Sequence, residues 1–200
     1  MAALPTVQVS PEDYLALDRA ASTKSEYIDG VMYAMAGTSE NHEMIVAAMV
    51  AALFDHFVDK PCRVYPGNTK IRIPDRRKYL YPDIAAICGK TEFADDQRDV
   101  VLNPHLVVEV LSNSTASHDR TRKFLWYQQI EALEEYVLVS QDEPLVETYH
   151  RQSDGTWTYT KLDRLDAVMT LRSVNCAIPL KTVYSKVEFS PRASDDEDAL

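Results

Sequence analysis

Two acids stand where apolar strands leave them little room. Leu106-Val107-Val108-Glu109-Val110-Leu111 is an apolar run broken once by a carboxylate, and Tyr81-Pro82-Asp83-Ile84-Ala85-Ala86-Ile87-Cys88 carries another at its start. Short runs of this kind, without polar alternation, read as central strands covered on both faces, which calls for helices on either side of a sheet. Burying an unpaired carboxylate there costs on the order of several kcal/mol, so each acid needs a cation, a donor or a metal. Two acids on strands of one sheet suggest a shared ion. A structural arginine paired with Glu109 is the competing account.

With 200 residues, 46% hydrophobic and 26% charged, the chain suits one domain with a sizeable core, expected over 8–187 and followed by an acidic tail over 188–200. No segment approaches the roughly 20 apolar residues that span a bilayer, and the N-terminus lacks the basic and apolar stretches of a signal peptide. A cytoplasmic protein with no membrane partner is expected. Cys62, Cys88 and Cys176 are odd in number and show no CxxC spacing, so the expectation is three reduced, mostly buried thiols and no zinc site.

The net charge of −10 opposes binding of a polyanion by bulk electrostatics alone. Four of those charges, Asp195, Asp196, Glu197 and Asp198, sit in the tail. Against them stands a basic stretch in which Lys70, Arg72, Arg76, Arg77 and Lys78 accompany a single acid, Asp75. It is either a solvated loop or a surface that meets a nucleic-acid backbone just before Asp83.

Ser10 followed by Pro11 and two acids predicts a helix from Pro11 to about Ala20. Asp29-Gly30 predicts a type I′ hairpin between strands near 24–28 and 31–36. Ser39 caps a second helix, about 40–58, with Ile45, Ala48, Met49 and Ala52 on its inner stripe. Strands are expected near Arg63 and at 70–73, 84–88 and 106–112, then a helix over about 117–131. Further strands are expected at 135–140, 146–150, 157–162 and 168–171. The order is that of an α/β fold with a mixed central sheet flanked by helices, an N-terminal hairpin and an antiparallel C-terminal appendage.

Pairing across the Asp29-Gly30 turn places Glu26 on the face of Ile28 and Val31, unless the strand end frays and turns it to solvent. Lys123, Tyr127 and Ile130 follow helical spacing, so Lys123 either reaches back toward the strand of Glu109 or forms an ordinary i, i+4 ion pair with Asp119. His42 shares a face with Ile45 and Met49 and reads equally as a satisfied structural histidine. No Ser/His/Asp set, glycine-rich phosphate loop or HExxH is present.

Taken in order, Glu26-Tyr27-Ile28-Asp29-Gly30, His42, Tyr81-Pro82-Asp83, Pro104-His105-Leu106-Val107-Val108-Glu109-Val110-Leu111-Ser112 with Ser114-Thr115, and Asp119-Arg120 and Lys123 before Tyr127 resemble the Uma-type endonucleases. These are bacterial members of the PD-(D/E)XK, restriction-endonuclease-like superfamily, and the likeness spans about residues 8 to 185. The resemblance implies a four-stranded mixed sheet flanked by helices, with Mg²⁺ or Mn²⁺ on Asp83 and Glu109 and Glu26 as an additional acid. The superfamily's commonest lysine position, two residues after the glutamate, is Leu111 here; the resemblance moves that role to Lys123. Asn113 stands where relatives usually carry proline, which touches a turn more than the ligands.

Those residues suit phosphodiester hydrolysis: carboxylates hold a hard cation, Lys123 orients the nucleophile or neutralises phosphate charge, and Lys70, Arg72, Arg76, Arg77 and Lys78 contact the backbone. His42, Asp119 and Arg120 are possible accessories. DNA is the expected substrate, with RNA or a smaller phosphodiester as alternatives, and a homodimer the expected assembly. The reading from another class is a noncatalytic interaction protein on a nuclease scaffold.

Overall fold

The computed structural model describes residues 8–112 and 116–189. Ser10 caps α1 (Pro11–Ala20), its hydroxyl accepting the Asp13 amide at 3.1 Å with proline at the first helical position. β1 (Ser25–Ile28) and β2 (Val31–Ala34) form the expected hairpin. Asp29 and Gly30 have φ of 50° and 94°, the positive values a type I′ turn needs, and Glu26 faces Tyr33 across the ladder. α2 (Glu40–Phe57), capped by Ser39, buries His42, Ile45, Met49, Leu53 and Phe57 at helical spacing.

Six strands follow: β3 (Cys62–Pro66), β4 (Lys70–Arg72), β5 (Lys78–Leu80), β6 (Ile84–Cys88), β7 (Val100–Val101) and β8 (Leu106–Leu111). α3 (Ala116–His118) then runs through a π-helical turn (Asp119–Lys123) into α4 (Phe124–Tyr127). The helix therefore stops short of the Glu131 end that spacing suggested. β9 (Glu135–Ser140), β10 (Val146–Arg151), β11 (Trp157–Leu162), β12 (Val168–Leu171), β13 (Cys176–Pro179) and α5 (Leu180–Val183) complete the described chain.

The strands form two principal sheets. One runs β2-β1-β5-β4-β7; the other runs β11-β10-β9-β8-β6-β3, with β8 and β9 parallel and its remaining neighbours antiparallel. The four-stranded mixed core is thus β9-β8-β6-β3, and the antiparallel C-terminal strands β10 and β11 are appended at its β9 edge. Among the described residues only β12 and β13 pair separately.

Alternation along β8 divides the core. Leu106, Val108 and Val110 pack against Ile45, Met49 and Leu53 of α2, while Val107 and Leu111 join Tyr127, Ile130 and Tyr136 on the other face. Glu109 shares that second face. Tyr14, Tyr27 and Tyr79 make a smaller cluster beneath α1, the first two rings stacked at 5.0 Å. The alternation that buries Tyr27 there leaves Glu26 and Ile28 pointing toward the Tyr127 cluster.

The cysteines correct the expectation of three free thiols. Cys62 and Cys88 are directly opposed in the β3–β6 register and form a disulfide, leaving Cys176 buried and free. The two are 26 residues apart and meet only through strand pairing, so no local spacing signalled them. Toward the C-terminus, Glu188 is tied to α2 by paired hydrogen bonds with Asn41 at 3.0 and 3.3 Å. Asn113, Ser114, Thr115 and the acidic residues 195–198 lie outside the described residues.

Candidate active site

Tyr81-Pro82-Asp83 carries the chain from β5 of one sheet to β6 of the other, and the candidate site lies at that junction. The β6–β8 register ends on Ile84 opposite Val108; one step further, Asp83 comes opposite Glu109. Asp83 extends the ladder with its side chain, Oδ2 accepting the Val110 amide at 2.7 Å. Its Oδ1 lies 3.1 Å from His42 Nε2 at the start of α2. The other ring nitrogen, His42 Nδ1, is buried and has no hydrogen-bond partner.

Glu109 is 3% exposed, and its Oε1 accepts the Lys123 ammonium at 3.2 Å and the Tyr127 hydroxyl at 3.1 Å. Lys123, 8% exposed, also lies 3.1 Å from Glu26 Oε1 and 3.5 Å from Asp119 Oδ1. The two sequence accounts of Lys123 therefore hold together: it pairs along its own helix and reaches the strand as well. Glu26 Oε1 additionally accepts the Tyr81 amide at 3.1 Å, which links the hairpin to the segment leading into Asp83. The π-helical turn contributes by bringing both Asp119 and Lys123 inward, an arrangement found often at functional positions.

The electrostatics of this group are unbalanced. Burial pushes the Glu109 carboxyl well above its usual range; Lys123 opposes the shift, but Asp119, Asp83 and Glu26 add to it. Lys123 moves up despite burial, because Glu109, Glu26 and Asp119 all favour its charged form. Burial likewise raises the Tyr127 hydroxyl, reinforced by Glu109 and Glu26. For His42, burial disfavours the imidazolium, and the hydrogen bond and charge of Asp83 outweigh it to give a net upward shift. Four carboxylates, Glu26, Asp83, Glu109 and Asp119, are thus gathered around one ammonium and one imidazole. Even with His42 protonated, two negative charges are uncompensated when all four acids ionise.

That donor set fits a hard divalent cation. Mg²⁺ takes oxygen ligands and commonly uses only one or two protein carboxylates with water and substrate phosphate, which matches Asp83 and Glu109. Among the described residues no three His, Cys, Asp or Glu side chains already form a ligand cluster. A cleft of about 510 Å³ opens over Asp83 and His42, with Lys24, Thr38, Asn68 and Tyr81 in its walls. Lys24 donates to the Gly67 carbonyl at 2.8 Å and to Asn68 Oδ1 at 3.1 Å.

The basic stretch is divided between interior and surface. Lys70 is buried between Asp18 and Asp99 at 3.0 and 2.9 Å and donates to the Tyr81 hydroxyl. Lys78 is buried against Asp75 at 2.6 Å. Arg77 is exposed and paired with Asp29 at 3.0 Å, Arg76 is exposed, and Arg72 has its Nε buried without a partner. The ammoniums of Lys70 and Lys78 are thus engaged within the protein. Arg120 lies outside the acidic group and holds Glu147 Oε2 at 2.6 Å. Sequence reasoning missed Lys24, Asn68 and the Tyr81 amide as parts of the site; only Tyr127, spaced four residues from Lys123, carried a signal.

A mixed sheet with helices on both faces is the architecture of the restriction-endonuclease-like fold. A solved chain from Anabaena variabilis, titled a putative nuclease belonging to DUF820, superposes with a TM-score of 0.73 over 88% of this chain and 98% of that one, at 17% identity. The Uma2 family model, described as "Putative restriction endonuclease", matches residues 11–179, and the chain belongs to that family. It is 33% identical over 188 residues to the uncharacterized protein slr1290 of Synechocystis sp., covering 92% of this chain and 96% of the relative. The uncharacterized protein sll1609 of the same organism is 32% identical over 162 residues, 81% of this chain and 92% of that protein.

Proposed function

We propose that the protein is a Mg²⁺-dependent endonuclease of the PD-(D/E)XK type that hydrolyses phosphodiester bonds in DNA. The observation that carries this reading is the charge deficit at the junction of the sheets: four acids, Glu109 among them, face one lysine and one histidine, where a purely structural arrangement would be balanced. Asp83 and Glu109 would hold the cation, with Mn²⁺ as a substitute. Bound there, a hard divalent ion supplies charge neutralisation at phosphate and activation of the attacking water.

The chain's own residues have separable tasks. Val110 and His42 fix the Asp83 carboxylate from two sides. Lys123, whose charge is favoured by three acids, remains an ammonium near neutral pH and serves as a fixed positive charge, not as a base. Glu26 orients that ammonium and ties it to the backbone ahead of Asp83. The cleft above Asp83 and His42 gives a phosphodiester its approach.

The test joins binding to turnover. Mn²⁺ titration into wild type and an Asp83→Ala, Glu109→Ala double variant should show a site only in the former. Supercoiled plasmid should be nicked by wild type with Mg²⁺ and not by the double variant. Equal metal binding by both proteins, or equal nicking, overturns the reading.

A further inference from the structure

With Lys70 and Lys78 engaged internally, unpaired positive charge gathers elsewhere. Beyond β6 a cleft of about 730 Å³ is bordered by Arg63, Lys90, Thr91, Phe93 and Arg98, with Asp95 and Asp96 at its rim. Arg63 uses one guanidinium N–H on the Gly89 carbonyl at 3.2 Å, and the Arg98 guanidinium lies over the Phe93 ring, 4.7 Å from its centre. Among the described residues none of Arg63, Lys90 and Arg98 has a carboxylate partner. Asp95 shares Arg19 with Asp99, at 2.7 and 2.6 Å, leaving Asp96 as the one lining acid without an ion pair among the described residues, opposite three cations.

The cleft is built, not incidental. Asn103 accepts the Glu92 amide at 2.9 Å and donates to the Lys90 carbonyl at 3.0 Å. The Tyr65 hydroxyl meets Thr91 Oγ1 at 2.9 Å and Phe93 bridges to Val101, so the segment carrying Lys90 and Arg98 is fastened to β3 and β7. A locally cationic concavity fixed in this way, on a protein of net charge −10, is suited to an anion that brings its own negative charge. An arginine stacked on an aromatic ring beside two further cations matches a sugar–phosphate chain with an accompanying base.

We propose that this cleft holds the phosphate backbone of the nucleic acid away from the site of cleavage. The proposal rests on nucleic acid as the substrate. Gly89 is six residues along the strand from Asp83, about 20 Å at roughly 3.3 Å per residue, so the same strand or duplex reaches both places. Arg63, Lys90 and Arg98 thereby supply the electrostatic contacts that the basic stretch at 70–78 does not, and they fix register without reading bases.

The experiment measures binding of fluorescein-labelled single-stranded and duplex DNA of 20 nucleotides by anisotropy in EDTA, across a salt series. Proteins compared are wild type, Arg63→Gln/Lys90→Gln/Arg98→Gln, and a control of equal charge change, Lys161→Gln/Arg164→Gln/Lys181→Gln, at exposed positions that do not line the cleft. The cleft variant should bind at least about ten-fold more weakly, with its salt slope reduced by about 2 for single strands, while the control loses much less. Equal weakening of the two variants, an unchanged cleft variant, or no binding by wild type overturns the proposal. Circular dichroism and melting establish that each variant folds, and the single Lys90→Glu exchange at an exposed position gives an independent reading in the same direction. Because binding is read without metal, the result is separate from hydrolysis: plasmid nicking by wild type with equal binding by both variants rejects the cleft and leaves the nuclease reading standing.

Discussion

Lys123 lies closer to Glu26, 97 positions earlier in the sequence, than to Asp119 on its own helix: 3.1 Å against 3.5 Å. The long-range contact joins the hairpin to the helix behind β8, and the ordinary helical ion pair is secondary to it. Lys123→Ala is therefore expected to abolish nicking, in line with the ~2.7 to 4 kcal/mol commonly lost with a transition-state charge contact. It should also lower apo stability, since Glu26, Glu109 and Asp119 would face one another unscreened. Asp119→Ala should matter much less. Single-turnover assays at saturating Mg²⁺ decide it: equal damage from the two substitutions would remove the special role of Lys123.

A second expectation concerns Glu109 in the absence of metal. Its folded-state pKa lies above its unfolded value, so between the two the folded state binds the extra proton and stability falls as pH rises. His42, also shifted upward, contributes with the same sign. Melts in EDTA from pH 5 to 8 should decline for wild type and decline less for Glu109→Gln, which at neutral pH should be no less stable. A loss of more than about 3 kcal/mol in Glu109→Gln would instead mark a structural ion pair.

Lys70 separates folding from binding. Placed between Asp18 and Asp99 and 3% exposed, it should cost about 3 kcal/mol on replacement by methionine, because buried Asp18 loses its ammonium while Asp99 keeps Arg19 at 2.6 Å. DNA affinity of the folded fraction should stay near that of wild type. Denaturant melts and anisotropy on the same preparation test both halves; a stable variant with weakened binding would return Lys70 to the nucleic-acid surface.

The Cys62–Cys88 bond closes a loop of 26 residues, for which the loop-entropy account gives about 3.5 kcal/mol. Non-reducing peptide mapping should recover the linked pair, and Cys62→Ser/Cys88→Ser should melt lower than the oxidised protein by an amount on that scale. Coincident melts with and without reductant would argue against it.

Regular elements were legible where one local signal sufficed. The Asp29-Gly30 turn fixed the hairpin register, and Ile84–Cys88, Glu135–Ser140 and Trp157–Leu162 match their apolar or alternating runs. β5 and β7, of three and two residues, are too short for periodicity to register, and they exist because neighbouring strands pair with them. Glu26, Asp83, Glu109 and Lys123 stood out because charge interrupts an apolar face. The burial of Lys70 and Lys78 was not legible for a related reason: composition shows that cations are present but not that Asp18 and Asp99, distant in sequence, hold Lys70, or that Asp75 folds back across a turn onto Lys78.

The passage of Tyr81-Pro82-Asp83 from one sheet to the other has a consequence for biosynthesis. Glu26 belongs to the first sheet, Glu109 to the second, and Lys123 to the helical segment that follows, so no partial chain ending before Lys123 contains the full constellation. Whatever hydrolytic capacity the acids confer arises only after both layers have formed and met. Any such activity is in this way absent from the nascent chain, with completion of tertiary structure acting as its safety catch.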